Sequence, residues 1–140
     1  MKKYLYLLFI ATALFSCSKE AQTPENLKQK MLSKWRFRTA KVMNYSAQGK
    51  ATDSTSVLVT INDFFEFKAD GSFNNSTLNG KELESGTFAT STTSRFTLKM
   101  PGSTSTCRVI NLDADNFVFA VQEPKVTGQP YIETKYTLYR

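Results

Sequence analysis

Two acidic clusters in this chain have the residue types and spacing for chemistry. Glu82 and Glu84 stand one residue apart and resemble a carboxylate pair for general acid–base work. They flank a polar turn, however, and read as solvated carboxylates. Asp113-Ala114-Asp115-Asn116 has the spacing that begins a calcium loop. It lacks the Gly and the distal bidentate Glu of such a loop, and Asp and Asn favour turns through local hydrogen bonds. A hairpin turn is the reading. The chain has no histidine, which removes the usual general base at neutral pH and the commonest metal ligand. No Gly-x-Ser-x-Gly elbow, phosphate-cradling Gly loop or cysteine cluster occurs. The expectation is a non-enzyme with no metal and no cofactor.

Chemistry of another kind is concentrated at Cys17. Before it stand Lys2 and Lys3, the apolar run Tyr4 to Phe15, and the small Ser16. A spanning helix needs about 20 apolar residues, so residues 1–16 read as a secretory signal peptide. Leu14-Phe15-Ser16-Cys17 resembles the lipobox of bacterial lipoproteins. The resemblance implies a diacylglyceryl group on the Cys17 thiol, cleavage before Cys17, and acylation of the new amino group by palmitate or a similar chain. Two or three acyl chains anchor stably where one is marginal. The implied address is the cell envelope, on the outer membrane. Residues 17–23 form the lipidated N-terminus and a polar tether of roughly 20 Å at full stretch. Residues 24–140 form one domain. With Cys17 lipidated, Cys107 has no partner for an intramolecular disulfide, and it reads as a small buried hydrophobe.

The basic charge collects beside that anchor. Between residues 18 and 41, Lys19, Lys28, Lys30, Lys34, Arg36, Arg38 and Lys41 face only Glu20 and Glu25. Lys28, Lys30, Lys34, Arg36 and Arg38 either meet anionic headgroups or form a solvated face. An extracytoplasmic address and the lack of an aromatic–basic recognition motif exclude nucleic acid.

Thr23-Pro24-Glu25 opens a helix, with Thr as N-cap and Pro at the first position. Leu27 and Met31 share its apolar face, and at this length it must pack on something to persist. From Trp35 on, the pattern is strand and turn. Trp35 and Phe37 alternate with Arg36 and Arg38 over the first strand, Trp35 to Met43. Residues 44–55 read as a long polar loop, and Val57 to Ile61 as a β-branched strand. The stretch from Phe64 to Phe73 is the centre of the domain: an aromatic strand, an Asp70-Gly71 turn and a returning strand. Further strands fall at Glu84–Thr90, Arg95–Met100, Ser105–Leu112, Phe117–Val121 and Tyr131–Arg140. About eight short strands joined by tight turns predict a mostly β fold: an antiparallel up-and-down β-barrel or a sandwich, closure being favoured because it removes exposed edges.

The arrangement resembles lipocalin-like domains of small lipoproteins of the Bacteroidota type. It does so at Trp35, Phe65-x-Phe67-x-x-Asp70-Gly71-x-Phe73, Gly86-Thr87-Phe88 and the terminal Tyr136-Thr137-Leu138-Tyr139-Arg140. The resemblance implies a lipocalin-like barrel with one short N-terminal helix, and for typical lipocalins a small hydrophobic ligand. Trp35, Phe37, Phe65, Phe67 and Phe73 are the first half of the aromatic set that either fills the core or lines a ligand pocket. Phe88, Phe96, Phe117, Phe119 and Tyr136 are the second half. Arg140 is placed to stack on Trp35 and close one end. Asp53-Ser54-Thr55 resembles the O-glycosylation signal used in the Bacteroidota, with Ser54 as acceptor. The expected partners are the membrane, through the lipid, and a small apolar ligand or an envelope protein, with the domain monomeric. The competing functional classes are a protein- or glycan-interaction module of the outer membrane and an inhibitor of a secreted hydrolase.

Overall fold

A computed structural model describes residues 23–140. The stretch expected to be a signal peptide, the lipobox-like Leu14 to Cys17 and nearly all of the expected tether lie outside the described residues.

The chain begins with helix α1, Pro24–Met31. Thr23 caps it by accepting the Asn26 N–H on its hydroxyl, and Pro24 occupies the first turn, where its missing N–H costs nothing. Leu27 and Met31 are the buried face. The Trp35 indole donates to the Met31 carbonyl at 2.8 Å, which satisfies a carbonyl at the helix end and ties α1 to the first strand.

Nine strands follow: β1 Ser33–Tyr45, β2 Ala51–Val57, β3 Phe64–Phe67, β4 Ser72–Thr77, β5 Glu82–Thr92, β6 Arg95–Met100, β7 Ser103–Leu112, β8 Asn116–Gln122 and β9 Tyr131–Tyr139. From β3 to β9 each strand pairs antiparallel with the next, and β1 pairs with both β3 and β9. The result is a closed, eight-stranded up-and-down barrel with one short helix. β2 is a ninth strand added outside that count. The lower part of β1 pairs with β3, from Ser33↔Phe67 to Arg36↔Phe64. Its upper part pairs with β2, from Ala40↔Val57 to Tyr45↔Ala51.

This β1–β2 hairpin replaces the long loop expected over residues 44–55. Every residue of β2 is exposed, so no apolar alternation marks it in the sequence. Gly49, at φ 80°, and the Ser46–Lys50 hydrogen bonds make the turn. The strand expected at Val57 to Ile61 ends instead at Val57, and the chain from Leu58 to Asp63 crosses to β3 outside any ladder.

Two bulges keep the apolar side chains inward. The register shifts between Phe37 and Thr39, so Phe37 and Ala40, three residues apart, are both buried. A second shift between Val109 and Asn111 turns Ile110 out to solvent. At the central hairpin, the Gly71 N–H donates to Lys68, Gly71 takes φ 85°, and the Asp70 carboxylate accepts from the Ser72 N–H and hydroxyl.

Candidate functional site

The barrel interior is layered, and the layers come from strand alternation. At the helix-closed end Trp35 meets Phe117 edge-on at 5.5 Å, beneath Leu27 and Met31. In the next layer Phe67 packs against Phe88, Phe96 and Phe117 at 5.1–5.9 Å. Above it Phe65 meets Phe37, Phe119 and Tyr136 at 5.3–5.5 Å. Phe73 packs on both Phe65 and Phe67. Edge-to-face and tilted pairs of this kind add to simple area burial. All ten aromatics singled out in the sequence thus meet in one cluster. Trp35, Phe96, Phe117 and Phe119 are fully buried, and only Tyr136 keeps partial exposure. They are core. Cys107 lies among them, and burial pushes its thiol up to about 12, which leaves it inert as a nucleophile.

Arg140 closes the helix end. Its guanidinium lies 4.7 Å from the centre of the Trp35 ring, while its Nε donates to the Ala114 carbonyl and its backbone N–H to Asp115.

Above the aromatic floor the interior becomes polar. Asn75 on β4 is opposite Phe65 on β3 and Glu84 on β5, so alternation gives all three the inner face. Asn75 donates through Nδ2 to the Glu84 carboxylate at 3.2 Å, and its buried Oδ1 has no hydrogen-bond partner among the described residues. Burial raises the Tyr136 phenol above its usual pKa, with Cys107 and Glu84 adding to the shift. Glu84, expected at a solvated turn, therefore occupies the rim of the barrel mouth. Glu82 is held at the hairpin end by the Thr77 hydroxyl.

The mouth also opens sideways. β5 pairs with β6 only from Thr87 onward, and its first residues pair with β4 alone. Between them and the β6–β7 turn is a hollow of about 360 Å³ lined by Leu83, Glu84, Met100, Pro101 and Ser103. Alternation from Phe73 was the signal that could have placed Asn75 and Glu84 inward. It was masked by their polarity.

The other residues named from sequence are elsewhere. Lys34, Arg36 and Arg38 are on the outer face of β1. Lys34 sits 3.8 Å over the Phe64 ring, Arg36 donates to the Ile61 carbonyl at 2.9 Å, and Arg38 lies 5.4 Å from the Tyr139 ring. Lys28 and Lys30 are on α1, at the closed end. Ser54 is exposed, on β2 and not in a loop. The Asp113 carboxylate accepts from the N–H groups of Asp115 and Asn116 and from the Asn116 side chain. Those bonds make it a turn residue, and they draw its pKa down to about 2. Among the described residues no three His, Cys, Asp or Glu side chains gather as a metal site.

Comparison with protein-family models and with curated proteins gives no match. Among solved structures the chain is similar to the bovine lipocalin allergen Bos d 2, at 14% identity and a TM-score of 0.45 over 81% of this chain and 74% of that one. It is also similar to a deswapped triple mutant of bovine odorant-binding protein, at 11% identity and a TM-score of 0.44 over 79% and 74%. The barrel assignment rests on this chain's own β1–β9 closure.

Proposed function

We propose that this chain is a lipid-anchored, non-catalytic binding barrel of the cell envelope, held to the outer membrane through Cys17, that takes a small, mainly apolar ligand at its mouth. The observation that carries the binding reading is the buried Asn75 Oδ1, without a partner among the described residues, at the boundary between a filled aromatic floor and a polar rim. A buried acceptor left unpaired is costly, and a ligand donor seated over Tyr136 and Phe65 relieves it. The floor itself has no room for cargo, because its rings already fill the barrel. The ligand's apolar body therefore rests at Tyr136, the partly exposed ring of the upper layer, and its polar end meets Asn75 and Glu84.

The anchoring half of the reading rests on the lipobox resemblance. It is supported by where Thr23 stands: the chain enters the fold at the helix-closed end, beside Lys28 and Lys30. With a tether of roughly 20 Å, that end faces the bilayer and the mouth faces away.

Two measurements test the two halves separately. Cys17→Ser in the native host should leave the precursor uncut or release the protein from membranes, and normal processing with membrane retention overturns the anchor. Full-length protein should bind an apolar fluorescent probe saturably, and Asn75→Leu should weaken that binding while the fold persists. Probe binding indifferent to Asn75→Leu overturns the mouth site.

A further inference from the structure

We propose that the outer wall carries a second site, independent of the mouth, for a saccharide ring bearing an acidic group. The strand register places its parts together. Arg95 on β6 is opposite Arg108 on β7, and Gln122 on β8 is opposite both Thr106 on β7 and Glu133 on β9. These residues alternate with the inward Phe96, Cys107, Val121 and Thr134, so all of them point away from the core. Glu133 is nonetheless only 6% exposed. Arg108 covers it from one side with an ion pair at 3.1 Å. On the same wall Tyr45 and Tyr131 are paired across β1 and β9, their rings parallel and 4.8 Å apart. Burial and then Glu133 raise the Tyr45 phenol above its usual pKa, which places Tyr45 against the same carboxylate. Lys125 lies 4.3 Å from the Tyr131 ring. The result is a hollow of about 380 Å³ lined by Arg95, Thr106, Arg108, Gln122, Tyr131 and Glu133.

Charge decides what the hollow takes. Its one carboxylate is already engaged by Arg108, while the Arg95 side chain makes no ion pair or hydrogen bond among the described residues. Two guanidinium side chains opposed across a ladder repel one another. An anionic group set between Arg95 and Arg108 converts that repulsion into two charge-assisted contacts. The remaining lining is hydroxyl-matching polar surface. Tyr131, stacked on Tyr45 and with Lys125 over its ring, borders the hollow, and Thr106, Gln122 and Glu133 offer donors and acceptors to hydroxyls. Neither the Gln122 amide nor the Thr106 hydroxyl has a side-chain partner among the described residues, so both are available. A uronic acid unit fits the set: carboxylate to the arginines, hydroxyls to Thr106, Gln122 and Glu133. Such units occur in free glycans and in membrane-linked polysaccharide, and the chemistry of recognition is the same.

Calorimetric titration of the full-length protein in detergent with a defined oligogalacturonate tests this. A neutral oligosaccharide of equal length and inorganic phosphate serve as controls. The expected result is saturable binding of the oligogalacturonate, at least tenfold tighter than either control. Arg95→Ala, at an exposed position that leaves the Arg108–Glu133 pair intact, should weaken it at least tenfold. Gln122→Ala should weaken it less, without changing thermal stability. Displacement by acidic lipopolysaccharide assigns the sugar to a membrane glycan and its failure assigns it to a free one; the site stands either way. No saturable binding, equal affinity for the neutral oligosaccharide or for phosphate, or indifference to Arg95→Ala overturns the proposal.

Discussion

The Asp63 carboxylate accepts the backbone N–H of Asn79 at 2.9 Å and so latches the β2–β3 connection to the tip of the β4–β5 hairpin. The same oxygen accepts from Gly80 at 3.3 Å, and the other accepts from Thr60 at 2.7 Å. The tip is shaped for this. Leu78, Asn79 and Gly80 take consecutive positive φ values of 51°, 62° and 78°, and successive left-handed residues turn their N–H groups into a concave anion cradle. The Asp63 carbonyl also receives the Phe37 N–H, so the latch is joined to the barrel wall. Through it the hairpin that carries Asn75 and Glu84 is held over the mouth.

Removing that carboxylate leaves three N–H groups without their acceptor at a position that is 2% exposed. Asp63→Ala should cost on the order of 2–4 kcal/mol, in the range for charged hydrogen bonds lost from a buried site. Asp63→Asn, which keeps one acceptor oxygen, should cost less. Amide hydrogen exchange at Asn79 and Gly80 should quicken more than exchange in β8. Unchanged melting and exchange in Asp63→Ala would mean that the hairpin is held by its ladder alone.

Gly86 is the second constraint on the mouth. A Cβ there would stand 2.2 Å from the Lys99 carbonyl oxygen and 2.7 Å from the Phe73 ring. The missing side chain is what lets β5 lie against both. Gly86→Ala should therefore displace β5 or the Phe73 ring and cost about 1–3 kcal/mol or more, as overpacking does. Gly102 is the opposite case: it has open space around its Cβ position but takes φ 79°, so Gly102→Ala probes backbone strain and not space. Equal stability of Gly86→Ala and wild type would refute the close approach.

Much of this architecture was legible in the residues, for reasons that can be named. The helix start was readable because Thr23, Pro24 and Glu25 each act locally, and the structure uses Thr23 and Pro24 as cap and first turn. The strands around Phe65, Phe96 and Phe119 were readable because one face is buried, so polarity alternates with it. β2 was hidden for the opposite reason: all its residues are solvated, and its pairing is carried by backbone hydrogen bonds that leave no mark on side-chain type. The mouth was hidden as well. Asn75 and Glu84 face inward by alternation but look like turn residues by composition. The wall hollow depends on neighbours across β6 to β9, and register between strands is not written in any one of them.

The filled floor makes its own quantitative claim. Phe119 is fully buried and Phe67 is 2% exposed, each ringed by other aromatics. Phe67→Ala or Phe119→Ala should each cost ~3–5 kcal/mol, the range for truncating a large core side chain. Chemical denaturation of the two variants measures this directly. A loss below about 1 kcal/mol would show that these rings line open space, and would move the binding site from the mouth into the barrel centre.

The last prediction concerns acid. Hydrogen bonds from the Asp115 backbone, then from the Asn111 and Asn116 side chains, hold the Asp113 carboxylate in its charged form and bring its pKa to about 2. The ordinary value for Asp is about 3.9. A pKa lower in the folded state than in the unfolded chain means that the unfolded chain binds the proton first. The stabilisation is therefore complete above about pH 4 and fades as the pH falls toward 2. Asp113→Ala removes both the turn bonds and this dependence. Melting temperatures of wild type and Asp113→Ala, followed from pH 6 to pH 2, should differ by a constant amount down to about pH 4 and then converge. Because the β7–β8 turn also positions Ala114 and Asp115 to hold Arg140 over Trp35, the variant should loosen the closed end of the barrel and leave the mouth as it is. A gap that stays constant through pH 2 would show that the Asp113 bonds do not couple to folding.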